Sequence, residues 1–490
     1  MSQFGFAGPN YESQSQNAAA DLCMNFYPEQ IEVPEPETIV LYPTPGLSAY
    51  TSAGNKTRGS INVNDSEGFF VSDGAFYEMP LTAGAPTNRG NLANDTLPVS
   101  MAFYGTQILI ASSGIAYVYD LTTLTLTPVA ALVGVNIAKV DFCDGYFIAL
   151  IANTNTFRIS TLFDATLWDP LDEAVVSVFS GNLVSLKVDH REIWVWSEFA
   201  ATVYYNNGDT DFPFAVNPSA SVIEGGIAAI NSVVKLDNTL FWIGKDERGR
   251  GMVWRAAGYT PARVSDHAFE FEISQYDQIS NAVAYGYQDQ GHSFYQIFFP
   301  TAIVRPDKTT SATWDYDVAT GKWHQRGFWD TVLAEYEAHH SYNHIFFLNK
   351  HLVGDWQSGT IYEMSIDLVD DNGALIRRAR RAPHISSEQK WAFHSQMQVF
   401  LESGLGPVPP LLDGAGVARQ PIVNLRWSDD GGHTWSDDHA TGAGKSGDYK
   451  VRAMWRRLGR SRDRVYELNV SDPIPWRVID AYLEVTGGTS

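Results

Sequence analysis

Short apolar runs preceded by a turn return along this chain roughly every 40 to 60 residues, and no other feature restricts its fold so tightly. The runs read FYGTQILIASS from Phe103, VDFCDGYFIALI from Val140, LKVDHREIWVWS from Leu186 and VVKLDNTLFWIG from Val233. AYGYQDQGHSFYQIFF from Ala284 and SYNHIFFL from Ser341 continue the series. β-Branched and aromatic residues fill them, which suits pleated, half-buried surfaces. No segment holds a 3.6-residue period between two caps, so helices should be few and short. The phrase TWDYDVATGKWHQRG reads as a blade hairpin: a strand ending at Tyr316, a turn over Asp317–Lys322 and a return starting at Trp323. The expectation is an all-β chain whose body is β-propeller-like, with about six or seven blades. An array of β-sandwiches competes with it, because the period is irregular and no WD or kelch signature occurs.

Three segments follow from composition. Residues 1–45 carry Pro28, Pro34, Pro36, Pro43 and Pro45 and read as an extended N-terminal arm wrapping a surface. Residues 46–369 form the propeller-like body, and residues 370–490 a C-terminal β-domain in which Gly404–Gln420 is a loop or linker. Charge divides at the same place. The chain has 34 basic and 56 acidic residues, a net of −22, yet from Asp370 onward it has 16 basic and 15 acidic, leaving −23 on residues 1–369. Such a balance argues against a general nucleic-acid or anionic-membrane binder. Cys23 and Cys143, far apart, make neither a disulfide framework nor a metal motif and are expected as free buried thiols. The opening MSQFGFAGPN lacks the basic flank and apolar run of a signal peptide, and the stretch Pro128–Ala138 is too short to span a bilayer, so a soluble chain without membrane partners is expected.

The sharpest local motif is Ser428-Asp429-Asp430-Gly431-Gly432-His433-Thr434-Trp435. It fits the S-x-D-x-G-x-T-W "Asp box" of sialidases and related propellers, where aspartate caps a hairpin, glycine takes positive φ and tryptophan packs beneath. Ser428, Asp430, Gly432, Thr434 and Trp435 are therefore expected to build a structural hairpin rather than a catalytic site. Glycoside hydrolysis needs paired carboxylates, and Glu335 with Glu337, or Asp315 with Asp317, share a strand face. With 56 acidic residues such pairs arise by chance. His339, His340 and His344, near Glu335 and Glu337, resemble a metal cluster but lack HExxH order, and a solvated strand end is the expectation. No GxSxG elbow, Walker loop or GxGxxG fingerprint is present, so no catalytic residue, metal or cofactor is expected. Trp194, Trp196 and Trp242 would be exposed in a glycan-binding module and buried in blade packing; packing is the expectation.

Two arginine clusters remain: Arg377, Arg378, Arg380 and Arg381, then Arg456, Arg457, Arg460, Arg462 and Arg464. They suit contact with acidic surfaces of neighbouring subunits or partners, ahead of a solvated face or phosphate contact.

The stretch RWSDDGGHTWSDD…GKSGDYKVRAMWRRLGRSRDRVYELNVSDP (Arg426–Pro473) resembles the C-terminal signature of the packaged-DNA stabilisation proteins, or tail hub and nozzle proteins, of short-tailed phages. NFYPEQ…VLYPTPGL (Asn25–Leu47) is similar to that family's opening. The resemblance implies a structural virion protein in the phage tail, assembled in the host cytoplasm. Its partners would be itself, in a ring of typically six copies, the head-to-tail adaptor above, the tail needle or plug below, and tailspikes or fibres. Double-stranded DNA would pass through the channel without specific binding, and retention of the packaged genome is the implied function. A virion-associated glycan-binding or glycan-degrading propeller is the alternative. On the tail reading, part of the acidic charge on residues 1–369 is expected to face a lumen through which DNA slides.

Overall fold

The structure is a computed structural model that describes residues 2–31, 38–245, 251–305, 309–386, 388–406 and 410–488. Six antiparallel blades follow one another along the chain. The first comprises Thr57–Asn64, Glu67–Ser72, Ala75–Glu78 and Thr87–Asn91. The next five span residues 100–128, 137–175, 183–216, 234–263 and 283–330. The ring is closed by a composite blade: Ser341–Phe347, Lys350–Asp355 and Thr360–Ser365 are completed by Gly46–Ser52, which pairs antiparallel with Thr360–Ser365. Its inner strand Ser341–Phe347 lies between the inner strands of the first and sixth blades, Thr57–Asn64 and Val283–Asp289.

The sequence rhythm is the turn between the first two strands of a blade. Asp144-Gly145, His190-Arg191, Asp237-Asn238, Gln290-Gly291 and Leu348-Asn349 all take two successive positive φ angles. That is the type I′ geometry matching the twist of a two-residue hairpin. The apolar run after each turn is the second strand, buried on both faces: Trp194, Trp196 and Trp242 are 4%, 0% and 0% exposed and pack together between the fourth and fifth blades. The hairpin foreseen around Tyr316 runs Thr309–Asp317 and Lys322–Asp330, in register Asp317 to Lys322. The one α-helix among the described residues, His267–Ser274, is capped by Asp266, whose carboxylate accepts the Phe269 N–H at 2.8 Å.

The C-terminal domain is a sandwich that shares a sheet with the propeller. The outer strand of blade six, Lys322–Asp330, pairs with Ala20–Met24, and the sheet continues through Arg378–Arg381, Asp463–Val470, Ile422–Ser428 and His439–Gly442. The facing sheet runs Phe26–Ile31, Thr38–Pro43, Val478–Gly487, Ala392–Leu401 and Ala453–Arg456, with Ser2–Phe4 beside Val478–Gly487. Residues 404–420 join two strands of opposite sheets, as a loop should; of these, 407–409 fall outside the described residues.

The expectation of an N-terminal surface arm is corrected. Residues 2–31 and 38–45 supply strands to both sheets, and Phe6, Cys23, Phe26 and Leu41 are at most 1% exposed in the sandwich core. Prolines misled because two of them sit where a strand tolerates them. Pro28 lies on the edge strand, where no neighbour needs its missing N–H, and Pro43 ends its strand. Pro34 and Pro36 lie outside the described residues.

Candidate functional site

The arginine clusters divide into internal clamps and a surface. Arg380 is 1% exposed and grips the N-terminal segment. Its Nε donates to the Phe6 carbonyl (2.6 Å), its Nη1 to the Pro9 and Leu22 carbonyls (2.9 and 3.2 Å) and its Nη2 to Asp21 (3.0 Å). Arg381 bridges Glu467 (3.0 Å) and Glu12 (2.6 Å), while Arg426 donates through Nε to Glu467 at 2.8 Å. Burial pushes the Glu467 carboxyl up, but the two guanidiniums outweigh it and hold it below the usual range. Arg464, 2% exposed, grasps Asp429 with two bonds of 2.6 and 2.8 Å. Arg378 is 1% exposed, and burial lowers its guanidinium to about 10. An interface role for Arg378, Arg380 and Arg464 is therefore corrected: each is enclosed by its own chain. Arg377 and Arg381 are half-buried, and Arg456, Arg457, Arg460 and Arg462 are exposed. Arg460 and Arg462 lie over the Trp391 ring at 4.6 and 5.1 Å, an arginine–aromatic face on the sandwich.

The Asp box lies beside these clamps. The Ser428 hydroxyl donates to Asp430 (2.6 Å) and accepts the Gly432 N–H (2.8 Å). Asp430 also accepts the N–H and the hydroxyl of Thr434, at 2.8 and 2.6 Å, and the Ser428 bond, then those from Thr434, hold its carboxyl far below the usual range. Gly432 takes φ 103°, and Trp435 donates from Nε1 to the Gly432 carbonyl at 3.0 Å. The Trp435 ring is flanked by Arg381 and Arg426 at 5.0 and 4.8 Å. The N-terminal segment closes over the box: at Gly431 an added Cβ would sit 1.8 Å from Asn17 Oδ1.

The carboxylate and histidine candidates do not make a site. Asp315 and Asp317 are both 0% exposed. Asp317 caps its turn, taking the Thr320 hydroxyl (2.8 Å), the Ala319 N–H (3.0 Å) and His292 (2.9 Å). Asp315 faces His324 and Arg326 at 3.6 and 3.8 Å, out of reach of any sugar. Glu335 and Glu337 line a cavity of about 180 Å³ with Glu272 and Arg305. The expectation of a solvated strand end for the histidines is also corrected. His339 is 2% exposed, with Arg326 Nη2 at 3.1 Å and the Ser341 hydroxyl at 2.6 Å, in the short link between Glu335–Ala338 and the closing blade's strand Ser341–Phe347. Burial, then the Arg326 charge, holds it neutral. His340 and His344 are half-buried, and His344 pairs with His351 at 2.9 Å. Among the described residues no three His, Cys, Asp or Glu side chains are grouped to hold a metal.

Sequence reasoning missed the residue that joins the domains. Asn25, at φ 57°, donates to the carbonyls of Gly327 and Arg377 (both 2.8 Å) and accepts the Gly327 N–H (2.9 Å). One amide thus ties the N-terminal strands to blade six and to the first arginine cluster. An asparagine in NFYPEQ, a residue type tolerant of left-handed backbone, was the available signal.

Residues 6–369 match the family described as bacteriophage P22 Gp10, beta-propeller, and residues 377–486 match bacteriophage P22 Gp10, beta-sandwich. The chain belongs to the P22 Gp10 family. P22 Gp10 is a tail hub and stabilisation protein, so the membership makes this a phage structural protein and a virion component. The P22 Gp10 propeller match includes the N-terminal strands that here pack into the sandwich. No curated protein matches the chain in sequence. Solved structures it is similar to include the computationally designed Ika8 protein (10% identity, 70% of this chain and 99% of that one, TM-score 0.36). Others are the N-terminal domain of Nup159 (9%, 70% and 98%, 0.40) and YCF48 bound to D1 peptide (10%, 74% and 99%, 0.38). No helix among the described residues is long and apolar enough to cross a membrane.

Proposed function

We propose that the chain forms a ring, typically of six copies, below the head-to-tail adaptor of a short-tailed phage. The ring extends the DNA channel, helps close it so that packaged genome is retained, and anchors the tail needle or plug and the tailspikes or fibres. It acts without catalysis, and it assembles in the host cytoplasm. The observation that carries this reading is the pair of P22 Gp10 matches over nearly the whole chain. The division of charge supports it: −23 on residues 1–369 suits a surface past which a polyanion slides.

Particles assembled without this chain should package DNA and then lose it, measured as nuclease-accessible genome; full retention would overturn the reading. Arg456, Arg457 and Arg460 are exposed, so reversing all three to Glu should leave the monomer folded and abolish its incorporation into tails. Normal incorporation of the triple variant would remove the arginine face from the assembly.

A further inference from the structure

We propose that the chain carries both halves of a subunit contact: the apolar, acidic outer edge of its third blade seats, in a second copy, in an arginine-capped groove where blade six meets the sandwich. This rests on the ring reading and gives that ring one specific contact.

The first half is an edge that water should not see. Between residues 160 and 178, Leu162, Leu167, Leu171, Val175 and Val178 are 46%, 56%, 86%, 56% and 37% exposed. Exposed apolar side chains concentrated in one short stretch of chain suit an interaction surface. Acidic groups punctuate it. Glu173 is paired with Arg158 at 2.9 Å, whereas among the described residues Asp169 and Asp172 have no salt-bridge partner. Asp169 instead accepts the Leu171 N–H at 2.9 Å, which fixes the loop that displays Leu171.

The second half is apolar too, with Arg377 as its basic group and Asp438 as its acidic one. Phe328, Trp329, Leu375, Arg377, Asp438 and Asn469 line a groove of about 560 Å³. Leu375 is 55% exposed, and the adjoining turn exposes Val332 at 90%. The Arg377 guanidinium stacks over Trp329 at 3.8 Å and reaches Asn469 at 3.5 Å, with no carboxylate partner among the described residues. A stacked, weakly hydrated guanidinium over an indole suits a carboxylate arriving with apolar neighbours. The edge supplies both.

The two surfaces differ and lie on separate blades, the third and the sixth. Their pairing is heterologous, the type of contact that closes into a ring when the rotation between copies allows. A second copy is therefore the occupant that the complementarity favours; a different virion protein is an alternative that the experiment separates.

The test uses the full chain in phage particles. Cys23 and Cys143 are buried, so thiol cross-linking starts from a low background. The double variant Leu171→Cys with Leu375→Cys, treated with a short bismaleimide, should give a ladder of multimers of this chain on a denaturing gel, and neither single variant should. Leu171→Asp should leave the monomer's melting unchanged, given that exposure, and lower the copies incorporated per particle at least tenfold. Rings that incorporate Leu171→Asp normally and yield no ladder would overturn this contact while leaving the ring. A product joining position 171 to a different virion protein would overturn it too. A chain present as isolated single copies would overturn both the contact and the ring.

Discussion

His339, His344 and His394 are held neutral inside the protein, and each makes folding depend on pH in the same direction. Burial and then Arg464 lower His394 to about 4; burial and then His351 lower His344 to about 3. Between the ordinary histidine range near 6.5 and those values, the unfolded chain takes up protons that the folded chain refuses, so stability falls as pH falls. Glu467, held low by Arg381 and Arg426, adds a further loss below the usual glutamate range. Asp371 acts the other way: burial raises it to about 6, so its ionisation costs stability above that pH and its protonation relieves the cost below. Glu12, Asp21, Asp266 and Glu272, raised chiefly by burial, oppose the histidines as Asp371 does, so the assignment shows in differences between variants. Between pH 6.5 and 4 the urea midpoint of His394→Gln should fall less than the parent's, and that of Asp371→Asn should fall more. Variants whose midpoints track the parent's across that range would contradict the assignment. Arg380 makes the second residue-scale case. Removing a buried, multiply bonded guanidinium leaves Asp21 and three carbonyls short of a donor, so Arg380→Met should cost about 3–5 kcal/mol in denaturant unfolding. Arg380→Lys should not restore it, because a point charge cannot match the guanidinium fork; recovery by lysine would show that charge alone suffices.

Among the elements, the N-terminal strands carry consequences for both domains. Deleting residues 2–45 removes strands from both sandwich sheets and exposes Met397, Tyr466 and Trp476, while keeping the propeller's closing strand Gly46–Ser52. The truncated chain should lose its C-terminal domain to limited proteolysis and retain a propeller-sized fragment. A protease-resistant sandwich without those strands would show them dispensable. These were the strands least legible in the sequence. The blade strands announced themselves because a two-residue turn and an apolar run are local signals, and VDFCDGYFIALI holds both. Pairing between Ala20–Met24 and Arg378–Arg381 spans most of the chain and leaves no local trace. The same holds for the arginines. RRLGRSRDR looks uniformly exposed, yet Arg464 lies within the strand Asp463–Val470 and is turned against Asp429, whereas Arg462 falls between two strands and stays exposed. The Asp box was legible because all its bonds fall within eight residues.

Across the whole molecule, the acidic body and the near-neutral sandwich are joined by one continuous sheet from blade six, so the propeller and the arginine face are coupled through backbone rather than a hinge. In the proposed ring, that arrangement would let one domain hold neighbours while the other borders the channel. Each phosphate contact to a basic wall would release counterions on binding and have to be broken for DNA to advance, whereas an acidic wall forms no such contact. In the proposed ring, the chain's net −22 would serve as a lubricant around a packaged genome. The purified full chain should not retard double-stranded DNA in a gel at 50 mM salt, where a basic protein making several phosphate contacts would bind tightly. Reversing exposed body acids such as Asp209, Asp211 and Glu224 to Lys should leave the fold intact. If those positions face the lumen, genome release from assembled particles should slow at low ionic strength and recover as salt screens the new charges. Ejection kinetics unchanged by that reversal, or DNA binding by the wild-type chain, would place the acidic surface away from the DNA.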